Sequence, residues 1–408
     1  MSRSVLIHVQ YLLGIGHLQR ALRIADALAR DGLAVTLVNG GPPRAELAAD
    51  RAIRIAQLEP VRARDAHFEL IDDAGRPIDD ALRARRRDAL LAAFAATRPD
   101  AVVVEGFPFA RRAFRFELDP LIAAAQAARQ GDQARPRLIC SVRDIIAWRD
   151  DPARHRATAD RVHREFDAVL VHGDPALIRF EASFPMASQI ADRLIYTGYV
   201  HEAHLTPPPY PPPLAGEGEG RGEVVVSAGG GAAGSALLNA ALAARREGCL
   251  AAAPWRLLAG TNLPEAEYVA LCRAAPSGVT IERFRPDLPA LLRHCRVSVS
   301  QAGYNTVLDV LAARASAVLV PFAAERETEQ LMRAERLEAL GAAELVRESD
   351  LSPGALARAI ERAAAREPPR VAINTDGAAN SARLIAALIE GSAVRELAAK
   401  TGMAMIGR

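Results

Sequence analysis

A chain of 408 residues is longer than one ordinary hydrophobic core accommodates and suits two domains. Half of the residues are hydrophobic and a quarter charged, the balance of a folded soluble protein rather than a disordered or membrane-embedded one. With 51 Lys and Arg against 49 Asp and Glu the net charge is +2, so no nucleic-acid or other polyanion surface is expected over the molecule as a whole.

The apolar stretch from Ser4 to Leu13 is interrupted by His8 and Gln10 and lacks a small-residue cleavage site, so it reads as a first strand and not a signal peptide. No apolar run approaches the about 20 residues of a spanning helix. A cytoplasmic location is expected, with at most peripheral contact at the inner face of the membrane. Cys140, Cys249, Cys272 and Cys295 are too widely spaced for a zinc or redox pair and read as small core residues in a reducing compartment.

Strand and helix periods then alternate. Val5 to Val9 is followed by a helix from about His17 with Leu18, Leu22, Ala25 and Leu28 on one face, and further strands are predicted at Val35 to Val38, Ala101 to Glu105, Arg137 to Ser141 and Ala168 to His172. This is the pattern of a parallel sheet covered on both faces. Thr206 to Gly222, TPPPYPPPLAGEGEGRG, supports neither helix nor strand and marks a linker between domains. Strands resume at Val224 to Ser227, Trp255 to Ala259, Val279 to Glu282, Val297 to Ser300 and Val318 to Val320. The expected division is a Rossmann-like domain over 1–205, a linker over 206–222, a second Rossmann-like domain over 223–375, and helices over 376–408 that pack on either domain, a return to the first included.

Ligands of open parallel sheets bind beyond the carboxyl ends of the strands, so candidate residues are sought there. Gly14, Gly16, His17 and Arg20 join the first strand to the first helix; the glycines permit close backbone approach, while His17 and Arg20 either face a polar substrate or belong to a tight, capped turn. Gly229, Gly230, Gly231 and Gly234 follow the first strand of the second domain, where free N–H groups at a helix start form a receptor for phosphate oxygens, or a merely flexible turn. Ser300 to Thr306 follows another strand: Gly303 and Thr306 offer donors at a helix start, and Asp309 presents a carboxylate suited to a ribose diol. The run Glu325 to Gln330 reads alternatively as solvated charge.

Together these residues resemble the glycosyltransferase family 28 carboxyl domain and the MurG-like glycosyltransferases of the GT-B fold, two Rossmann-like doubly wound α/β domains facing across a cleft. The likeness is strongest from Glu223 to Leu345, through SQAGYNTVLDVLAARASAVLVPF and the pair Glu329-Gln330. In the first domain only Gly14 to Arg20 and the strand–helix pattern fit, and that loop is less glycine-rich than in the peptidoglycan enzyme and also looks like that of UDP-sugar hydrolases. The resemblance implies a UDP-sugar as co-substrate held mainly by the second domain, an acceptor held by the first, and no further cofactor. It places Gly303, Asn305 and Thr306 at the diphosphate, Asp309 at the ribose, Arg283 and Phe284 beside the base, and Glu329 and Gln330 at the sugar hydroxyls. Asp309 is shorter than the glutamate often found there, Glu329 replaces an amide, and Ala232 stands where a serine is common.

The expected chemistry is inverting transfer of a hexosyl group, N-acetylhexosaminyl included, to an acceptor hydroxyl. His17 is the first candidate base and Glu105 its competitor, with Asp144 third. No Asp-x-Asp pair follows a strand, so no metal is expected. His172 and Asp174 form a His-Gly-Asp turn that a capped helix explains equally well. Arg83, Arg85, Arg86 and Arg87, with Arg111, Arg112 and Arg115, either attract an anionic, lipid-linked acceptor or a membrane surface or form a solvated helix face. Hydrolysis or epimerisation of a UDP-sugar, and nucleotide-sugar binding without turnover, are the competing functions.

Overall fold

The computed structural model describes residues 3–12, 15–48, 50–64, 69–128, 136–146, 151–201, 222–229, 234–248, 250–322, 328–367, 370–401 and 403–405. The expected linker, apart from Gly222, lies outside the described residues, as do Gly14, Gly230, Gly231, Ala232, Cys249 and Glu325. The chain divides into two units: Met1–Glu202 with Ile373–Arg408, and Ala203–Ala372.

Unit 1 runs β1 (Ser4–Val9), α1 (Gly16–Arg30), β2 (Ala34–Asn39), the single turn α2 (Ala45–Ala48), β3 (Arg54–Gln57), β4 (Arg62–Ala63), β5 (Leu70–Ile71), α3 (Asp80–Thr97), β6 (Ala101–Glu105), α4 (Arg115–Ala127), β7 (Arg137–Arg143), α5 (Pro152–Glu165), β8 (Ala168–His172) and β9 (Leu194–Tyr196). Seven of these strands form one parallel sheet in the order β3-β2-β1-β6-β7-β8-β9. Alternation along β6 shows how it is held: Val102 and Val104 pack on one face with Leu118, Leu121 and Phe114, while Ala101 and Val103 pack on the other with Leu18, Leu22 and Leu28 of α1. Such two-faced burial is why the strand reads as an unbroken apolar run.

Unit 2 runs β10 (Val224–Ser227), α6 (Ser235–Ala244), β11 (Trp255–Leu258), α7 (Glu265–Ala274), β12 (Val279–Glu282), α8 (Leu288–His294), β13 (Val297–Ser300), α9 (Tyr304–Ala313), β14 (Ala317–Leu319), α10 (Glu329–Ala339), β15 (Glu344–Leu345) and α11 (Pro353–Ala364). Its sheet is also parallel, in the order β12-β11-β10-β13-β14-β15. Cys140 is buried as expected, but Cys272 is exposed, because α7 buries only Leu271 among its described residues, and Cys295 is half-buried.

The last helices, α12 (Gly377–Ile389) and α13 (Val394–Thr401), belong to unit 1. Leu384, Ile385 and Leu388 of α12 join the core beneath α1, and Asn380 donates to the Thr197 carbonyl at 2.7 Å. Gly377 permits this docking, since a Cβ there would lie 2.4 Å from the Gly198 carbonyl oxygen. Gly377→Ala is expected to destabilise unit 1 by about 1–3 kcal/mol, the usual cost of overpacking, read as a lowered midpoint in urea unfolding.

Candidate active site

Both sheets reverse their strand order beside the first strand of the unit, between β1 and β6 in unit 1 and between β10 and β13 in unit 2. At such reversals the flanking connections leave toward opposite faces, and open α/β sheets bind their ligands there. His17 and Glu105 flank the reversal in unit 1; the Gly229 turn and the Ser300 to Asn305 loop flank it in unit 2.

In unit 1, Glu105 closes β6 and is 2% exposed, whereas the His17 side chain in the first turn of α1 is 21% exposed. His17 Nδ1 lies 2.9 Å from both Glu105 carboxylate oxygens. Arg20, one turn further along α1, donates through Nη2 to Glu105 Oε1 and lies 3.1 Å from His17 Nδ1. Burial opposes ionisation of Glu105, yet the charge of His17 when protonated, the charge of Arg20 and the hydrogen bond from His17 hold its carboxyl well below the usual carboxylate range. Two acceptors cannot bond each other, so beside this carboxylate Nδ1 carries the proton and Nε2 keeps the lone pair. Burial, reinforced by Arg111 and Arg143 and opposed by Glu105, pushes the His17 pKa down to about 3, leaving a neutral imidazole at neutral pH.

Around this pair the strand ends are polar and buried. Ser141, in register with Glu105, lies with its Oγ 2.7 Å from His172 Nε2, and His172 Nδ1 lies 2.9 Å from Thr197 Oγ1. Burial and the Arg20 charge push the His172 pKa down to about 3. Asp144 is fully buried and accepts from Tyr199 Oη at 2.8 Å and from the Ile145 amide at 3.0 Å, so it braces the loop. Asp174 accepts from the Ala176 and Asn374 amides, tying its turn to the segment before α12. Gly16 opens α1, but Arg20 differs from its expected substrate-facing role: three residues on from His17, it shares the helix face over β6 and is buried against Glu105.

Arg86 departs further from its reading as part of a solvated arginine face. It is fully buried, donates through Nε and Nη2 to Glu117 at 2.8 Å each, through Nη2 to Gln10 at 2.9 Å, and through Nη1 to the Gly40 carbonyl at 2.9 Å and to the Glu59 carbonyl. One guanidinium thus gathers the segments after β1, β2 and β3. Its neighbours Arg83, Arg85 and Arg87 make exposed ion pairs with Asp80, Glu59 and Asp88. Leu82, Arg86 and Leu90 are the buried residues of α3, four apart, and that spacing was the available signal.

In unit 2, Gly229 takes φ 69°, and Gly234 caps α6 so closely that a Cβ would meet the Ala228 Cβ at 2.3 Å. Gly303 is the N-cap of α9 and has no side-chain cap; Asn305, Thr306 and Asp309 follow on the helix, half-buried. The Gln330 amide oxygen accepts from the Ala302 and Phe322 amides, both at 3.1 Å, and so pins the loops after β13 and β14. Buried Arg333 donates to the Ala302 carbonyl at 3.3 Å and to Glu329 Oε1 at 3.2 Å, with its guanidinium 5.5 Å from the Tyr304 ring centre. Glu329 and Gln330 therefore serve the scaffold of the α9 start, a role their sequence did not indicate. Arg283 donates to the Leu263 carbonyl at 2.9 Å and to Glu265 at 2.5 Å and stacks 4.2 Å from the Tyr268 ring centre, while Phe284 beside it is 65% exposed.

Residues 225–389 match the family described as Glycosyltransferase family 28 C-terminal domain. Most of that stretch lies in unit 2, and its end reaches into α12 of unit 1. In curated relatives, 115 residues are 36% identical to the UDP-N-acetylglucosamine–N-acetylmuramyl-(pentapeptide) pyrophosphoryl-undecaprenol N-acetylglucosamine transferase of Brucella anthropi, covering 27% of this chain and 30% of that one. The Brucella suis protein of the same name is 34% identical over 122 residues, covering 28% and 32%. The chain thus matches about a third of the length of these relatives. Among solved structures, the calicheamicin glycosyltransferase CalG4 aligns with a TM-score of 0.59 at 17% identity, covering 98% of both chains, and Acinetobacter baumannii MurG with 0.57 at 18%, covering 95% of this chain and 100% of its own. The fold is GT-B, as the family 28 resemblance implied. Among the described residues no helix is long and apolar enough to cross a membrane, and no group of three or more His, Cys, Asp or Glu is placed to hold a metal ion.

Proposed function

We propose that the chain transfers a hexosyl group from a UDP-sugar to an acceptor hydroxyl, with inversion and without a metal or other cofactor. The family 28 segment, with the α9 start at the strand-order reversal of unit 2, carries this reading. Because the Brucella relatives are named for N-acetylglucosamine transfer, N-acetylhexosamine is the first donor sugar to test. His17 Nε2 takes the acceptor proton as the hydroxyl oxygen attacks the anomeric carbon and the bond to UDP breaks; Glu105 then stabilises the imidazolium. The acceptor lies on unit 1 beside Gly14 and Gly16.

The diphosphate is received by the N–H groups of Gly303, Asn305 and Thr306, by the Asn305 and Thr306 side chains, and by the glycine run Gly229, Gly230, Gly231 and Gly234, which meets the leaving charge. Asp309 holds the ribose, Arg283 and exposed Phe284 border the base, and Glu329 and Gln330 shape the sugar subsite. The protein works in the cytoplasm, with membrane contact at most peripheral and an acceptor that is lipid-linked if such contact exists.

Isothermal titration with UDP, TDP, GDP and ADP tests the donor site. UDP is expected to bind selectively, and Asp309→Ala to weaken it about tenfold, the worth of a hydrogen bond to a charged group. Absence of binding by all four nucleotides would overturn the reading. Transfer that survives EDTA, with no free sugar released unless acceptor is present, is the accompanying expectation.

A further inference from the structure

Helices α4 and α5 leave a cavity of about 430 Å³ on the flank of unit 1. Its walls run from Phe107 and Pro108, just after β6, to Gln126 and Glu165 near the far ends of the two helices, where the Gln126 amide donates to the Arg164 carbonyl at 3.5 Å. The cavity therefore extends along the helices, away from the strand ends that carry His17 and Glu105. Its volume falls within the range of about 300–1,000 Å³ usual for small-molecule sites. Its charged residues are unevenly matched: Arg112, Arg115, Arg161 and Arg164 line it with only Asp119 and Glu165 to oppose them.

Arg161 is the fixed centre of this set. Only 15% exposed, it donates to Asp119 Oδ1 and to Glu165 Oε2, both at 2.5 Å, and its guanidinium lies 4.5 Å from the centre of the buried Phe107 ring. Each carboxylate is shared with a more exposed arginine: Arg115 donates to Asp119 Oδ2 at 3.0 Å, and Arg164 to Glu165 Oε1 at 3.3 Å. Arg112 opens the 3-10 turn before α4, and among the described residues its side chain makes no hydrogen bond or ion pair. Two carboxylates thus serve three guanidinium groups, and a fourth has none. Helix stability does not account for the arrangement, because Arg115–Asp119 and Arg161–Glu165 place the cation four residues before the anion, the weaker order for an isolated helix.

We propose that this cavity binds a soluble phosphorylated sugar. The phosphate takes the unmatched charge of Arg112 and of the outer guanidinium groups, whose forks suit phosphate oxygens. Asp119 and Glu165, with one arginine bond on each oxygen, retain lone pairs that accept from sugar hydroxyls. A bare phosphate leaves most of the cavity to water, and a neutral sugar leaves Arg112 without an anion. The site rests on the α4–α5 cavity alone and is independent of the glycosyl-transfer reading.

The test uses the full chain with UDP in excess, to occupy the phosphate receptor proposed for unit 2, and titrates glucose 6-phosphate, inorganic phosphate and glucose in separate arms. Wild type is expected to bind glucose 6-phosphate saturably, inorganic phosphate more weakly and glucose not at all. Arg112→Gln is expected to weaken glucose 6-phosphate about tenfold and Arg112→Lys to restore part of the loss. Because the Arg112 side chain has no protein partner to lose, the melting temperature is expected to stay as in wild type, which separates binding from folding. Arg156→Gln removes the same charge from an exposed position of α5 outside the cavity and is expected to leave binding unchanged. No saturable binding by wild type, equal affinity in wild type and Arg112→Gln, or an equal loss in Arg156→Gln would overturn the proposal. Inorganic phosphate binding as tightly as glucose 6-phosphate would overturn the ligand class, as would binding to phosphatidylglycerol vesicles with none to glucose 6-phosphate. If UDP itself fails to bind, the donor reading falls, and the comparison of Arg112 with Arg156 variants still decides the cavity.

Discussion

Replacing His17 with alanine is expected to lower glycosyl transfer at saturating substrates by about 10²–10⁴-fold, the usual contribution of a positioned general base, with UDP affinity unchanged. The separation is expected because His17 lies in unit 1 while the residues proposed to hold the donor lie in unit 2. The pH profile gives an independent readout. With its pKa pushed down to about 3, His17 keeps its lone pair through the mildly acidic range, so no loss of activity centred on the ordinary imidazole value of 6.5 is expected from this residue. Stability follows its own sign. The unfolded chain protonates His17 and His172 near 6.5 and the native state only near 3, so native stability is fully present above pH 6.5 and falls on acidification between those values. Glu105, held below its ordinary 4.5, adds a loss of the same sign below that pH. Acid unfolding that begins before carboxylates ordinarily titrate, and is delayed in His172→Gln, is the expected signature.

Arg86→Met is expected to be the most destabilising single change in unit 1, at about 3–5 kcal/mol, because it leaves the Glu117 carboxylate buried without its cation. His8, whose Nε2 lies 3.4 Å from Glu117 Oε1, is the neighbour that remains. Arg86→Met combined with Glu117→Leu removes both charges and is expected to recover most of the loss. Urea unfolding of the two single variants and the pair provides the double-mutant cycle. A fully additive result would mean that the pair does not couple.

The sheets were largely legible because their central strands are buried on both faces and spell runs such as Val102-Val103-Val104 and Val224-Val225-Val226. The elements that escaped notice sit at edges or are very short. Arg54–Gln57 is half polar and has four residues, Leu194–Tyr196 and Glu344–Leu345 have three and two residues, and the β4–β5 hairpin pairs two residues a side. A strand of that length carries no period.

The active-site candidates were legible as residue types at strand ends, but their relations were not. His17 and Glu105 read as rivals for one proton because they are 88 positions apart; parallel pairing of β1 with β6 makes them partners instead. Arg20 read as facing a polar substrate and Arg86 as part of a solvated face because the carboxylates that bury them lie 85 and 31 positions away. For Glu329 and Gln330, position in a motif suggested contact with a sugar, whereas their observed hydrogen bonds reach Arg333 and two backbone amides.

Unit 2 is one continuous stretch, whereas unit 1 is assembled from two stretches separated by it. On the ribosome, residues 203–372 are therefore all available to one another before α12 is made. Until Leu384, Ile385 and Leu388 arrive, the part of the α1 core that α12 covers stays open, so the nascent first unit is expected to need chaperone protection for longer. Order of synthesis and order of completion are thereby inverted: the unit begun first is finished second.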